Sequence, residues 1–204
     1  MQTYIFIMEL IGTVAFAISG AVQAIKVKMD IFGVAVLGLV TAVGGGIIRD
    51  IVIGKVPPAV FQNPIYAVVA LVTAVAVFFI APRAHYAKWS EKLLYVADSI
   101  GLAVFTAVGV DSAYVLGHKG LTLWLFVGVI TGVGGGVLRD VFSGEIPYIF
   151  RKHIYATASL IGVLIIYLLS FVTDFLTASI IGAAVIIVIR LIAMLLHLNL
   201  PKSE

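Results

Sequence analysis

Two arginine–aspartate pairs stand within otherwise apolar stretches of this 204-residue chain, Arg49-Asp50 and Arg139-Asp140. Each follows a glycine triplet, Gly44-Gly45-Gly46 or Gly134-Gly135-Gly136, with two apolar residues between. A guanidinium in such a stretch costs at least about 2.5 kcal/mol to insert into a bilayer, so it needs a carboxylate, a carbonyl or water beside it. Adjacent residues on a helix do not face each other. The Arg and Asp of one motif are therefore expected to bond to different neighbours, among them Glu9, Asp98, carbonyls near the glycines, or the opposite motif. Each glycine weakens a helix interior by roughly 1 kcal/mol relative to Ala. A turn opened at a triplet would present carbonyl oxygens to a cation, provided it faces protein or water. Close helix packing, which small residues also permit, is the alternative. Two triplets at matched positions, each followed by Arg-Asp, favour helix breaks along a pathway.

Two readings of the Arg-Asp pairs stay open. They are either charged supports at the ends of one conduit or interfacial salt bridges that fix helix ends. Glu9 and Asp98 occupy equivalent early positions in their stretches; they are interfacial residues, pore-mouth residues or partners of the arginines. Arg190 is placed to snorkel towards the nearer membrane face. Asp111 and Asp174 read as loop-proximal residues without chemistry. Ser19, Ser99 and Thr106 either line a polar path or bond their own helix, the commoner case. His85, His118, His153 and His197 are scattered and form no ligand pair. There is no nucleophile elbow, phosphate-binding loop or HExxH motif, so catalysis has no support and no cofactor is expected.

The elements that must position these groups are membrane spans. Of the residues, 62% are hydrophobic and 11% charged, too little charge to cover a soluble domain of this length. The net charge of +3 comes from basic residues in links between apolar runs, which encodes topology and gives no sign of nucleic-acid binding. Apolar runs predict an all-α polytopic protein with spans at Tyr4–Ile25, Ile31–Ile53, Pro64–Ala81, Leu93–Val115, Leu121–Val141, Ile154–Phe171 and Leu176–His197. The N-terminal run reads as the first span and not as a cleaved signal. Polar links are expected at Lys26–Asp30, Gly54–Asn63, Arg83–Lys92 and Gly117–Gly120. Outside the motifs, Lys26, Lys28, Arg83, Lys88, Lys92, Arg151, Lys152 and Lys202 fall on one side, against Lys55 and Lys119 on the other. The positive-inside rule then sets the N-terminus outside and the C-terminus in the cytoplasm.

The chain repeats itself. Thr41–Pro57 and Thr131–Pro147 share nine of seventeen positions at an offset of 90. Glu9, Gly12, Phe16 and Gly20 align with Asp98, Gly101, Phe105 and Gly109, and Ile65-Tyr66-Ala67 aligns with Ile154-Tyr155-Ala156. Three spans per copy is an odd number, so the second copy enters the membrane inverted. A single membrane domain, 1–204, thus divides into repeats at 4–82 and 93–172 and a seventh helix at 176–198. Lys55 and Glu145 are equivalents of opposite sign, so the symmetry is approximate.

The duplicated GGGxxRD, with Gly54/Pro57 and Gly144/Pro147 following, resembles the prokaryotic members of the trimeric intracellular cation (TRIC) channel family. The resemblance covers nearly the whole chain. The same bacterial sequences are also classed under a glycine-transporter domain. The resemblance implies a homotrimer in a prokaryotic cell membrane, with a pore in each subunit between the two three-helix bundles, at the glycine-kinked second and fifth helices. The permeant species would be potassium, with sodium less favoured, and no metal beyond the transient potassium ion is implied. Animal relatives carry a lysine-containing motif at this place, so the resemblance does not by itself imply their lipid binding or calcium-linked regulation. A secondary transporter of a small zwitterion such as glycine is the alternative, because broken inverted repeats also suit alternating access. A scaffold without transport is the third reading.

Overall fold

The structure is a computed structural model that describes residues 2–81, 86–151 and 154–196. Arg83, His85, Lys152, His153, His197 and Lys202 lie outside the described residues, as do the side chains of Lys88 and Arg151. The described residues are helical throughout, joined by short links. The order is α1 (Gln2–Lys26), α2 (Ile31–Val52), α3 (Ala59–Gln62), α4 (Ile65–Ile80), α5 (Tyr86–Val115), α6 (Leu121–Phe142), α7 (Tyr148–Arg151), α8 (Ala156–Leu169) and α9 (Phe175–Leu195). Among the described residues, α1, α2, α5, α6 and α9 are long and apolar enough to cross a membrane. The apolar helices α4 and α8 have 16 and 14 residues, roughly 24 and 21 Å at about 1.5 Å per residue.

The sequence of elements, two long helices, a one-turn helix and a shorter one, occurs twice before α9. Two boundaries differ from the sequence reading. The segment read as a polar link from Arg83 to Lys92 is helical from Tyr86 onward, so α5 begins a full two turns early. Polar residues there do not stop a helix, since Lys, Glu and Trp are tolerated and no Pro or Gly intervenes before Gly101. The links after α2 and α6 each contain a short helix, α3 and α7, that was not foreseen.

Helix α1 packs on α2, α4 and α5, α5 packs on α6, α8 and α9, and α2 lies against α6. The two halves meet through reciprocal contacts. A Cβ on Gly101 would stand 2.1 Å from the Phe16 ring, and one on Gly12 would stand 2.9 Å from Phe105. The two rings stack at 5.3 Å. At the α2–α6 crossing, a Cβ on Gly45 would stand 2.4 Å from the Thr131 carbonyl oxygen, and one on Gly135 would stand 2.3 Å from that of Thr41. Because Thr41 meets Gly135 while Thr131 meets Gly45, α2 and α6 cross antiparallel.

The expected helix breaks at Gly44, Gly45, Gly46 and Gly134, Gly135, Gly136 are corrected here: α2 and α6 run as continuous helices through both triplets. The missing side chains are used for contact. Without a Cβ at Gly45, Gly134 and Gly135 the two backbones approach directly, and the dispersion and close packing of the crossing outweigh the modest helix penalty of each glycine. The largest apolar core is in the second half, where Leu102, Trp124, Val163, Ile166 and Ile186 are buried between α5, α6, α8 and α9.

Candidate functional site

Each motif arginine lies in the last turn of its helix and is buried. Beyond it, Gly54 and Gly144 adopt φ of 75° and 74°, a conformation that suits glycine because it lacks a Cβ. The chain turns back there, and the first amide of the next short helix reaches the motif aspartate. Ala59 N donates to Asp50 Oδ2 at 2.7 Å, and Tyr148 N donates to Asp140 Oδ2 at 2.8 Å. This accounts for the glycine four residues after each motif aspartate.

In the first cluster, Arg49 Nε donates to Asp50 Oδ1 at 2.9 Å, and Arg49 Nη1 stands 3.0 Å from Glu9 Oε1 on α1. The Tyr66 hydroxyl on α4 donates to Glu9 Oε2 at 2.6 Å. A cleft of about 30 Å³, room for a water or two, opens beside Glu9, Thr13, Gly46, Arg49, Asp50 and Tyr66.

The second cluster repeats this pattern and adds to it. Arg139 Nε donates to Asp140 Oδ1 at 2.8 Å, and Arg139 Nη1 donates to Asp98 Oδ1 at 2.6 Å and to Ser19 Oγ of α1 at 2.5 Å. The Tyr155 hydroxyl donates to Asp98 Oδ1 at 3.2 Å. The other Asp98 oxygen takes Arg190 Nη2 of α9 at 3.1 Å. Arg190 also donates to Ser99 Oγ at 3.2 Å and to the Ile154 carbonyl at 3.1 Å, and its guanidinium sits 4.2 Å from the Tyr95 ring centre. Burial pushes the Tyr148 phenol up to about 12, so it stays protonated beside the Arg139 guanidinium.

The structure therefore brings Glu9, Arg49 and Asp50 together, and separately Asp98, Arg139 and Asp140. The two clusters do not touch each other's motifs. With α2 and α6 antiparallel, Arg49 and Arg139 lie at opposite ends of the crossing, each about six residues, or roughly 9 Å, from its centre. Two expectations are corrected. Arg and Asp of one motif do bond to each other, because the flexible Arg stem arcs across the turn of about 100° between neighbouring residues. Arg190 does not snorkel; it is 1% exposed and points into the second cluster. Ser99 bonds its own helix at the Tyr95 carbonyl, at 2.7 Å, and also accepts from Arg190. Thr106 pairs with Ser159 of α8 at 2.7 Å.

Arg190 is the functional-site candidate that sequence reasoning missed. An arginine among Ile, Val, Leu and Ala in the seventh run was a signal, but its partner Asp98 lies 92 residues away and is identified by packing alone. Counted as ions, the first cluster holds two carboxylates and one guanidinium, and the second holds two of each.

The comparisons with known proteins agree with this architecture. A family model described as glycine transporter matches twice, over residues 6–82 and 95–171. The inner membrane protein YadS of Escherichia coli K12, a UPF0126 protein, is 44% identical over 97% of this chain and 95% of its own length. A UPF0126 membrane protein of Vibrio cholerae is 39% identical over 97% of this chain and 82% of its own. This chain belongs to the glycine-transporter-domain family, the group of the prokaryotic TRIC channels. A solved structure of a TRIC cation channel, described in terms of conductance, superposes with a TM-score of 0.85 at 38% identity, covering 97% of this chain and 96% of that one. The TRIC orthologue from Rhodobacter sphaeroides superposes at 0.88 with 34% identity, covering 96% and 100%. A structure of TRIC counter-ion channels, at 15% identity and 0.64, shares the fold. Like these relatives, the family member described here is a multi-pass membrane protein.

Proposed function

We propose that this chain is a monovalent cation channel, mainly permeable to potassium and less to sodium, with one pore in each subunit of a homotrimer. The observation that carries this reading is full-length likeness to a TRIC cation channel, combined with two buried ionic clusters at opposite ends of the α2–α6 crossing. The seven longer helices would span the membrane as two inverted repeats, 4–82 and 93–172, followed by a seventh helix at 176–198. The reciprocal Gly12–Phe105 and Gly101–Phe16 contacts support such a pseudo-two-fold relation. The N-terminus would face outside and the C-terminus the cytoplasm of a prokaryote, in contact with membrane lipid.

In this reading the path runs along the seam between the halves. Where the backbones of α2 and α6 touch at Gly45 and Gly135 the seam is shut, so conduction requires the crossing to part. Glu9, Arg49 and Asp50 guard one end, and Asp98, Arg139 and Asp140 guard the other. Fixed charges at each mouth would set the local ion concentration and, with their hydrogen bonds, the shape of the opening.

Purified protein in liposomes tests this directly. A potassium gradient should drive flux through verified trimers, and trimers that pass no ion refute the proposal. The family model's description supports a second reading, transport of glycine, with Arg49 binding the carboxylate and Glu9 or Asp50 the amine. Saturable uptake of labelled glycine without ion current would favour it.

A further inference from the structure

Asp111 is a buried carboxyl that neither cluster uses. It lies four residues from the C-terminal end of α5 and has no exposed surface. The buried Ser179 hydroxyl of α9 donates to its Oδ1. Its Oδ2 has no hydrogen-bond partner among the described residues. The Tyr4 hydroxyl, from the start of α1, is also buried without a partner and lies within electrostatic reach of Asp111.

The elements packed around this point bring it no cation among the described residues. On α2, Arg49 is held by Glu9 of α1 and by Asp50. On α6, Arg139 is held by Asp98 and Asp140. On α9, Arg190 is eleven residues beyond Ser179, about 16 Å along the helix, and is bound to Asp98. Asp174 caps α9 through Thr177 in an exposed position. Tyr155, at the N-cap of α8, reaches Asp98, and Tyr167 of α8 packs on Trp124. Tyr114 of α5 stacks on Phe175, with Lys119 over its ring. At the offset that relates Glu9 to Asp98, the first-half counterpart of Asp111 is Val22, so this feature belongs to the second half alone.

A carboxylate buried in this way, with a single hydroxyl donor and no counter-ion among the described residues, is strongly disfavoured relative to the neutral acid. We infer that Asp111 is a proton-binding site. As a carboxylic acid it accepts from Ser179 through Oδ1 and carries its proton on Oδ2, within electrostatic reach of the Tyr4 hydroxyl, so the ends of α1, α5 and α9 meet around a neutral group. Release of the proton leaves an uncompensated charge among the three helices and loosens that end of the bundle. The neutral acid is the form that packs, so the contribution of Asp111 to stability is greatest on the acidic side and is lost as pH rises from the ordinary carboxylate range through its own titration.

The test uses full-length protein in lipid vesicles, followed by infrared difference spectroscopy and thermal unfolding across pH. At mildly acidic pH the wild type should show a carboxylic-acid carbonyl band that Asp111→Asn lacks. Alkalinisation should remove the band and lower the wild-type midpoint, while the Asn variant, a neutral near-isostere, loses that part of the pH dependence. Identical acid spectra for the two proteins would overturn the inference, as would a variant as pH-sensitive as the wild type. Ser179→Ala provides an independent check that retains the carboxyl. Its acid band should persist at a shifted frequency, and a band that does not move would show that Ser179 is not bonded to a protonated Asp111.

Discussion

Replacing Asp98 with Asn changes almost no volume and removes one charge from the middle of the second cluster. Asp98 has no exposed surface and spans two arginines, Arg139 through Oδ1 and Arg190 through Oδ2. With Asn, one oxygen becomes an NH2 group that meets a guanidinium donor with a donor. Arg139 keeps the carboxylate of Asp140, while Arg190 loses the carboxylate to which it is bound. Breaking a buried pair by removing one partner costs about 3–5 kcal/mol, and that range applies here because no water-exposed edge relieves the charge. Glu9→Gln should cost less, since Glu9 is partly exposed and pairs with one arginine. The excess charge predicts the rescue: Asp98→Asn with Arg190→Leu should be more stable than the sum of the single changes allows, by about 2 kcal/mol of coupling. Equilibrium unfolding in mixed micelles, followed by tryptophan fluorescence, measures each corner of the cycle. Additive effects within about 0.5 kcal/mol would refute the claim that Asp98 holds both arginines.

Three further outcomes follow from the same contacts. Gly135→Ala should destabilise by about 1–3 kcal/mol, because its Cβ would meet the Thr41 carbonyl, a backbone atom that cannot swing away; thermal unfolding checks it, and Gly120→Ala, with open space at the Cβ, serves as the control. Gly101→Ala should be destabilising alone and partly restored by Phe16→Leu, since the obstacle there is a ring and not backbone. Tyr66→Phe removes a hydrogen bond to the Glu9 carboxylate and should cost about 1.5–3 kcal/mol; an unchanged unfolding midpoint would mean that water replaces the hydroxyl in the adjacent cleft.

Much of the site was legible because the repeat marks its own important positions. Glu9 and Asp98, and the two Arg-Asp pairs, could be selected by matching one half to the other. What each does with its neighbours was less accessible. The Arg49–Asp50 bond runs against the expectation that adjacent helical residues diverge, and depends on a long side chain with no better place to go. The paired glycine triplets favoured a break on sequence grounds, with close contact as the alternative. The facing backbone decides between them, and Thr131 and Thr41 come from the other half of the chain.

The sequence alone determined the apolar helices, the duplication and the motif pairs, since apolar length, glycine spacing and internal identity are local properties that need no partner. Only the tertiary structure decided that Arg190 completes the second cluster, that Asp111 is buried beside Ser179, and that the triplets join α2 to α6. The reason is distance along the chain. Those contacts join residues from 68 to 94 positions apart, and in a uniformly apolar helix no periodicity marks which face a lone polar residue will turn inward.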